Sequence, residues 1–206
     1  DKVPVTAHAV RTGLAMVELP GRFHVLPGEP VLVLDVAHNP HSVAALAANL
    51  DSMGATFPTT HAVFGAMADK DLAPMLEKIS PLINRWYFTD LPVPRAAKAV
   101  DLQRQWRSLE KSAAPPDAVP PEAVFPEKAG PAVRLSVHRN KSAQSPQGQA
   151  QAAQKFSQTF AQPEHALKAA LAAAGPADRI VVFGSFYTVG EVVKDGPPRL
   201  HAKHLG

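Results

Sequence analysis

Four residues of the 206-residue chain stand where side-chain chemistry is most easily delivered. Asp35 and His38 follow the apolar run Val31 to Leu34, which is rich in β-branched residues and too short for a buried helix, and so reads as a buried strand. Ser185 follows a similar run, Arg179 to Phe183, across Gly184. Arg22 follows Pro20-Gly21, a turn signal. In open α/β sheets ligands bind at the carboxyl ends of strands, which is where Asp35, His38 and Ser185 would lie. A guanidinium fork matches phosphate oxygens, but a lone arginine after a turn reads first as a surface residue. Each residue also has a plainer reading: a surface arginine on a turn, a turn-fixing aspartate, a satisfied buried imidazole and a helix-capping serine. His24 and His41 carry only the structural reading.

Several complete sites are excluded. Nothing reads GxxxxGK[ST], so no P-loop is present, and no GxGxxG follows a strand. No HExxH or clustered His/Asp set makes a zinc site, and no metal-ligating residues are assigned. Ser185 lies in Gly-Ser-Phe-Tyr rather than in a G-x-S-x-G elbow, which argues against a hydrolase nucleophile. By itself the chain holds half a site at most.

The elements that must position these residues alternate. Asn39 is a good N-cap, Pro40 suits a first helical position, and Val43, Leu46, Ala47 and Leu50 follow at helical spacing up to a stop at Gly54. His61 to Phe64 reads as a second strand. The loop MADKD follows, then a helix over Leu72 to Ile79 capped by Asp71. Trp86 to Phe88 is a short aromatic strand, and LPVPRAA places Arg95 at another carboxyl strand end. A helix over Lys98 to Leu109 has Val100, Leu102, Trp106 and Leu109 as apolar positions, with Trp106 in the core. Residues 111–160 break the rhythm with proline-rich and glutamine/alanine-rich stretches, which leave little apolar surface to offset chain ordering. This region is expected to be an insertion, largely a loop, with one added edge strand at Ala132 to Val137. A helix over Pro163 to Ala174 ends at Gly175-Pro176, the strand Arg179 to Phe183 follows, and Thr188 is expected to cap a short helix running to Val193. Strands alternating with helices predict an α/β fold, a doubly wound, mostly parallel sheet with helices on both faces.

Composition narrows the class. A hydrophobic content of 46% supports a substantial core, and the absence of cysteine removes disulfides and thiolate metal sites. The net charge of +3 comes from scattered basic residues with few aromatics beside them, so no nucleic-acid partner is expected. No apolar run approaches the roughly 20 residues of a membrane helix, and the first residues are not a signal peptide, so a cytoplasmic protein with no membrane partner is the expectation. Residue 1 is Asp, which leads to the expectation of a fragment or processed product.

Three motifs carry a family resemblance: LPGRF (Leu19 to Phe23), LDVAHNPHSVAAL (Leu34 to Leu46) and GSFYTVGEV (Gly184 to Val192). Together they resemble the carboxy-terminal domain of the dihydrofolate synthase/folylpolyglutamate synthase family, within the Mur ligase superfamily. The resemblance implies a Rossmann-like domain over residues 21–206, with residues 1–20 as the linker from a missing amino-terminal ATP-binding domain. It implies an ATP-dependent ligase that joins L-glutamate to dihydropteroate or to a folate glutamate tail through an acyl phosphate. By matching motif to motif, Arg22 and Asp35 would contact ATP, and His38 and Ser185 would place the incoming glutamate or the γ-phosphate. The P-loop and the Mg²⁺ ligands would lie on the missing domain, so this chain alone is expected to lack ligase activity. The corresponding domain of another Mur-type amino-acid ligase, or a non-catalytic α/β binding module, is the alternative.

Overall fold

The computed structural model describes residues 6, 21–54, 56–113 and 156–196. Among the described residues six strands form one sheet. They are β1 (His24–Leu26), β2 (Val31–Leu34), β3 (Thr60–Phe64), β4 (Arg85–Thr89), β5 (Phe156–Phe160) and β6 (Arg179–Phe183), in the spatial order β1-β2-β6-β3-β4-β5. Only β1 is antiparallel to its neighbour; the other pairings are parallel. Among the described residues five α-helices connect them: α1 (Pro40–Ser52), α2 (Leu72–Ile79), α3 (Ala99–Ala113), α4 (Pro163–Ala173) and α5 (Phe186–Val193).

Strand periodicity sorts the core into two layers. Val33, Ala62, Phe64, Trp86, Phe88, Val181 and Phe183 face α1, α2 and α3, meeting Leu46 and Leu50, Leu76 and Ile79, and Leu102 and Trp106. On the other face, Leu32, Leu34, Val63, Ile180 and Val182 meet Ala166, Leu167 and Ala170 of α4 and Val189 and Val192 of α5. Both faces are covered, which is why the central strands are almost continuously apolar. The sheet is doubly wound, as the alternation predicts. Trp86 stacks on Phe88 at a centroid distance of 5.2 Å and also meets Trp106, confirming Trp106 as core.

Local signals are mostly realised. Asn39 caps α1 through a reciprocal capping box with Ser42, Pro40 is its first residue, and Gly54 follows the end at φ 79°. Helix α2 spans the expected residues, but Asp71 makes no capping hydrogen bond. Val100 is 54% exposed rather than apolar core, because Leu102 and Trp106 already set the buried stripe of α3. Within the span expected to be an insertion, α3 runs on to Ala113 and Phe156–Phe160 forms an edge strand paired with β4. The strand expected at Ala132 to Val137 lies outside the described residues, as do most of residues 1–20.

The amino end of the sheet is closed by a buried polar cluster. Asp178 accepts hydrogen bonds from the amides of Thr59 and Gly175, and Arg179 donates to the carbonyl of Leu50 and the hydroxyl of Thr60. His61, fully buried, sits with Nε2 3.4 Å from Asp178 and Nδ1 3.2 Å from the Tyr87 hydroxyl. Burial pushes the His61 pKa below its ordinary 6.5, against the pull of Asp178. These groups hold the scaffold at the end opposite the strand termini that carry Asp35 and Ser185.

Candidate active site at the sheet switch point

Strand β6 lies between β2 and β3, so the chain leaves two adjacent parallel strands in opposite directions. After β2 it enters α1 on one face, and after β6 it enters α5 on the other. Such a point opens a crevice beyond the carboxyl ends of the strands, where ligands bind in folds of this kind. The crevice here lies between the loop Asp35 to Asn39 and the turn Gly184-Ser185.

The turn before β1 is tied to the end of β2 on both sides of Arg22. The Gly21 carbonyl accepts from the Val36 amide at 2.7 Å, and the Phe23 amide donates to Asp35 Oδ2 at 2.9 Å. Gly21 turns at φ 74° with Val36 close beside its Cα, and Phe23 is held at φ 45°, a left-handed conformation costly for a bulky residue. With both neighbours anchored, Arg22 rides on the rim with its side chain exposed.

Asp35 fixes this arrangement. Its Oδ1 accepts from the Ala37 amide at 2.7 Å while Oδ2 takes the Phe23 amide, so one carboxylate spans two loops. Burial raises its pKa above the ordinary 3.8, outweighing both amide bonds and the nearby Arg22 charge. Each oxygen retains a second lone pair for a further donor. His38 is half-buried, and its Nδ1 lies 2.9 Å from the Val36 carbonyl oxygen. Its amide donates to the Ser42 hydroxyl at 3.2 Å.

Arg22, Asp35 and His38 line a single cleft of about 200 Å³, together with Ser42, Asn49 and Phe186. Ser185 is adjacent but buried. Its hydroxyl accepts from the Tyr187 amide at 3.1 Å and caps α5, the role expected of Thr188. Thr188 lies inside α5 and donates its hydroxyl to the Gly65 carbonyl at 2.7 Å, stitching α5 to the end of β3. The turn before Ser185 admits only glycine: Gly184 has φ 109°, and a Cβ there would lie 2.5 Å from the Gly65 carbonyl oxygen. Arg95 stands apart, 75% exposed at its side chain and paired with Asp69 at 2.9 Å. Sequence reasoning missed Ser42 and Phe186. Ser42 was legible as the third residue after an Asn N-cap, whereas Phe186 reads as ordinary core until its exposure is seen.

Among the described residues no group of three or more His, Cys, Asp or Glu could hold a metal ion, and no helix is long and apolar enough to cross a membrane. The cleft offers a cation, a half-buried carboxylate and an imidazole, a set suited to binding and orienting a charged ligand.

Known proteins share both sequence and fold. The chain is 36% identical over 98 residues to the dihydrofolate synthase/folylpolyglutamate synthase of Escherichia coli K12, an alignment covering 48% of this chain and 23% of that protein. It is 43% identical over 72 residues to a probable bifunctional folylpolyglutamate synthase/dihydropteroate synthase of Haloferax volcanii, covering 35% of this chain and 8% of that one. The matched part thus spans about a quarter or less of the relatives' length. The structure described as E. coli FolC in complex with DHPP and ADP superposes with a TM-score of 0.67 at 25% identity, covering 94% of this chain and 35% of that one. A bifunctional folylpolyglutamate synthase/dihydrofolate synthase from Yersinia pestis CO92 gives 0.64 at 28% identity, covering 94% and 35%. The profile described as "Mur ligase, glutamate ligase domain" matches residues 21–125. By that match and this geometry, the chain belongs to the Mur ligase glutamate-ligase-domain family.

Proposed function

We propose that the chain is the carboxy-terminal domain of an ATP-dependent dihydrofolate synthase/folylpolyglutamate synthase. The supporting observation is the convergence of Arg22, Asp35 and His38 on one cleft at the switch point, in a chain whose relatives carry that name. In this reading ATP transfers its γ-phosphoryl group to a carboxylate of dihydropteroate or of a folate glutamate tail, giving ADP and an acyl phosphate. The α-amino nitrogen of L-glutamate then attacks the acyl carbon, phosphate leaves, and the nitrogen loses a proton to form the amide.

Arg22 neutralises charge on the nucleotide phosphates, a role its exposed guanidinium suits. Asp35 offers its free lone pairs to the nucleotide while holding the Arg22 turn in register. Ser185 contributes mainly by fixing the start of α5, and His38, which lines the cleft, places the incoming glutamate or the γ-phosphate. An acyl phosphate hydrolyses readily, so closure of this domain over the nucleotide excludes water. The described residues do not form a Mg²⁺ ligand set, so no step is assigned to the metal here. Its ligands and the P-loop belong to an amino-terminal ATPase domain joined through residues 1–20, in a cytoplasmic enzyme.

The test is glutamate-dependent ADP release by a protein carrying this domain, with Mg²⁺, ATP and dihydropteroate or folate supplied. The reading expects turnover with those acceptors and none from the 206-residue chain by itself. Ligation of an amino acid to a peptidoglycan precursor in preference to folates would instead assign the chain to another Mur-type ligase.

A further inference from the structure

We propose that Phe23 is the positioning residue for Arg22, setting its guanidinium at the cleft through a strained turn whose aromatic ring is anchored in the core. What Arg22 meets there rests on the ligase reading above, but the hold of Phe23 is argued from its own backbone and packing. Among the described residues Phe23 alone, glycines apart, has a positive φ, at 45°. That conformation favours glycine or asparagine, because it presses the Cβ of a bulkier residue toward the following carbonyl oxygen. The chain nevertheless places a phenylalanine there. A residue in such a conformation persists only where its surroundings over-determine it, and such residues gather at ligand sites.

Three contacts hold Phe23. Its amide donates to Asp35 Oδ2 at 2.9 Å, and its half-buried ring packs against the core that Leu46 and Leu50 of α1 belong to. The next residue, His24, opens the pairing of β1 with Leu34 of β2. A glycine here could keep the φ, the amide bond and the strand pairing, so the ring anchor is what a phenylalanine adds. Arg22 lines the cleft with an exposed side chain, and its place is therefore set by the residues on either side. Leu46 belongs both to the core that Phe23 packs against and to the wall of that cleft. The ring thus ties the Arg22 turn to α1, the helix whose Ser42, Ala45 and Asn49 line the same cleft. A guanidinium fixed in advance neutralises phosphate charge without first ordering a loose turn.

The anchor is read from thermal unfolding of the 206-residue chain. Phe23→Gly should melt above Phe23→Ala, because glycine enters the left-handed conformation without a Cβ, and both should melt below the parent, which keeps the ring on the core. Phe23→Ala melting at or above Phe23→Gly, or either variant matching the parent, would overturn the strained anchor. The positioning role is read from kcat/KM for ATP in the enzyme carrying this domain, at a temperature where every variant is folded. Phe23→Gly should lower it about fivefold or more, the scale of a misplaced binding group. Phe23→Leu, which keeps an apolar side chain on the core, should recover most of that loss. Arg22→Ala should lower it about tenfold or more, and the double variant should lie within about twofold of Arg22→Ala, because Phe23 acts only through Arg22. A merely structural Phe23 would lower Tm and leave kcat/KM of the folded enzyme unchanged. A Phe23 with its own route to the nucleotide would multiply the two losses to about fiftyfold. Either result would overturn the proposal. An enzyme that shows no glutamate-dependent use of ATP would overturn the ligase reading and the role toward ATP with it, while the order of melting still decides whether Phe23 anchors the turn.

Discussion

Replacing Asp35 with alanine separates what this residue does for the fold from what Arg22 does for a ligand. The carboxylate takes two part-buried amide donors, Ala37 at 2.7 Å and Phe23 at 2.9 Å. A hydrogen bond to a charged group contributes roughly 1.5–3 kcal/mol, and removing the acceptor leaves each donor unsatisfied. The burial that raises the Asp35 pKa opposes this, because alanine no longer desolvates a charge. Together these give a net loss of about 2–4 kcal/mol. For a domain of this size that lowers Tm by about 5–10 °C. Asp35→Asn should fall between, since an amide can accept from one donor but turns an N–H toward the other. Arg22→Ala removes an exposed side chain and should cost no more than about 0.5 kcal/mol. In the complete enzyme the same change should raise KM for ATP or lower kcat by about tenfold or more, as loss of a phosphate contact does. The assay is thermal unfolding of the three variants beside steady-state kinetics. A Tm for Asp35→Ala within about 1 °C of the parent would show that the two amide bonds carry no net stability, and the account of this loop would be wrong.

Further outcomes follow from His61 and from the glycines at and within α5. His61 is buried with its pKa lowered, so the unfolded chain binds more protons as pH falls through 6.5. Its contribution to stability is complete above that pH and declines below it toward the folded pKa, with a slope of at most about 1.4 kcal/mol per pH unit; urea unfolding between these limits should show the slope in the parent and lose it in His61→Gln. At the turn into α5, Gly184→Ala drives a Cβ into the Gly65 carbonyl at φ 109° and should cost about 3 kcal/mol or prevent folding. Gly190→Ala, in the same helix with nothing near its Cα, should be neutral or stabilise by up to about 1 kcal/mol, measured by the same unfolding curves.

Much of the fold was legible because its signals are local. The strand Arg179–Phe183 and the helix Leu72–Ile79 have the bounds that their apolar spacing predicts. The start of α1 is written in Asn39-Pro40, since capping and the fixed φ of proline act within one turn. Local signals were weaker where two neighbours competed for one role. Thr188 and Ser185 are both capping types, and only the turn at Gly184 decides that Ser185 is the residue in extended conformation before α5. Strand β5 escaped notice because Phe156–Phe160 lies on an edge, where exposed and half-buried positions mix and no continuous apolar run is required.

The sequence by itself determined the alternation of strands and helices, the candidate site residues and the motifs that place the chain in its family. Each depends on residue types a few positions apart. Tertiary structure decided which of those residues share a cleft. Insertion of β6 between β2 and β3 brings the Gly184 turn beside Asp35 and His38, and strand order is set by long-range pairing that no local window contains. The same folding decided that Asp35 holds two backbone amides, that Phe186 stands in the open against His38, and that His38 Nδ1 lies against the Val36 carbonyl. A side chain's type fixes what bonds it can make. Which bonds it does make depends on partners that only the packed chain supplies.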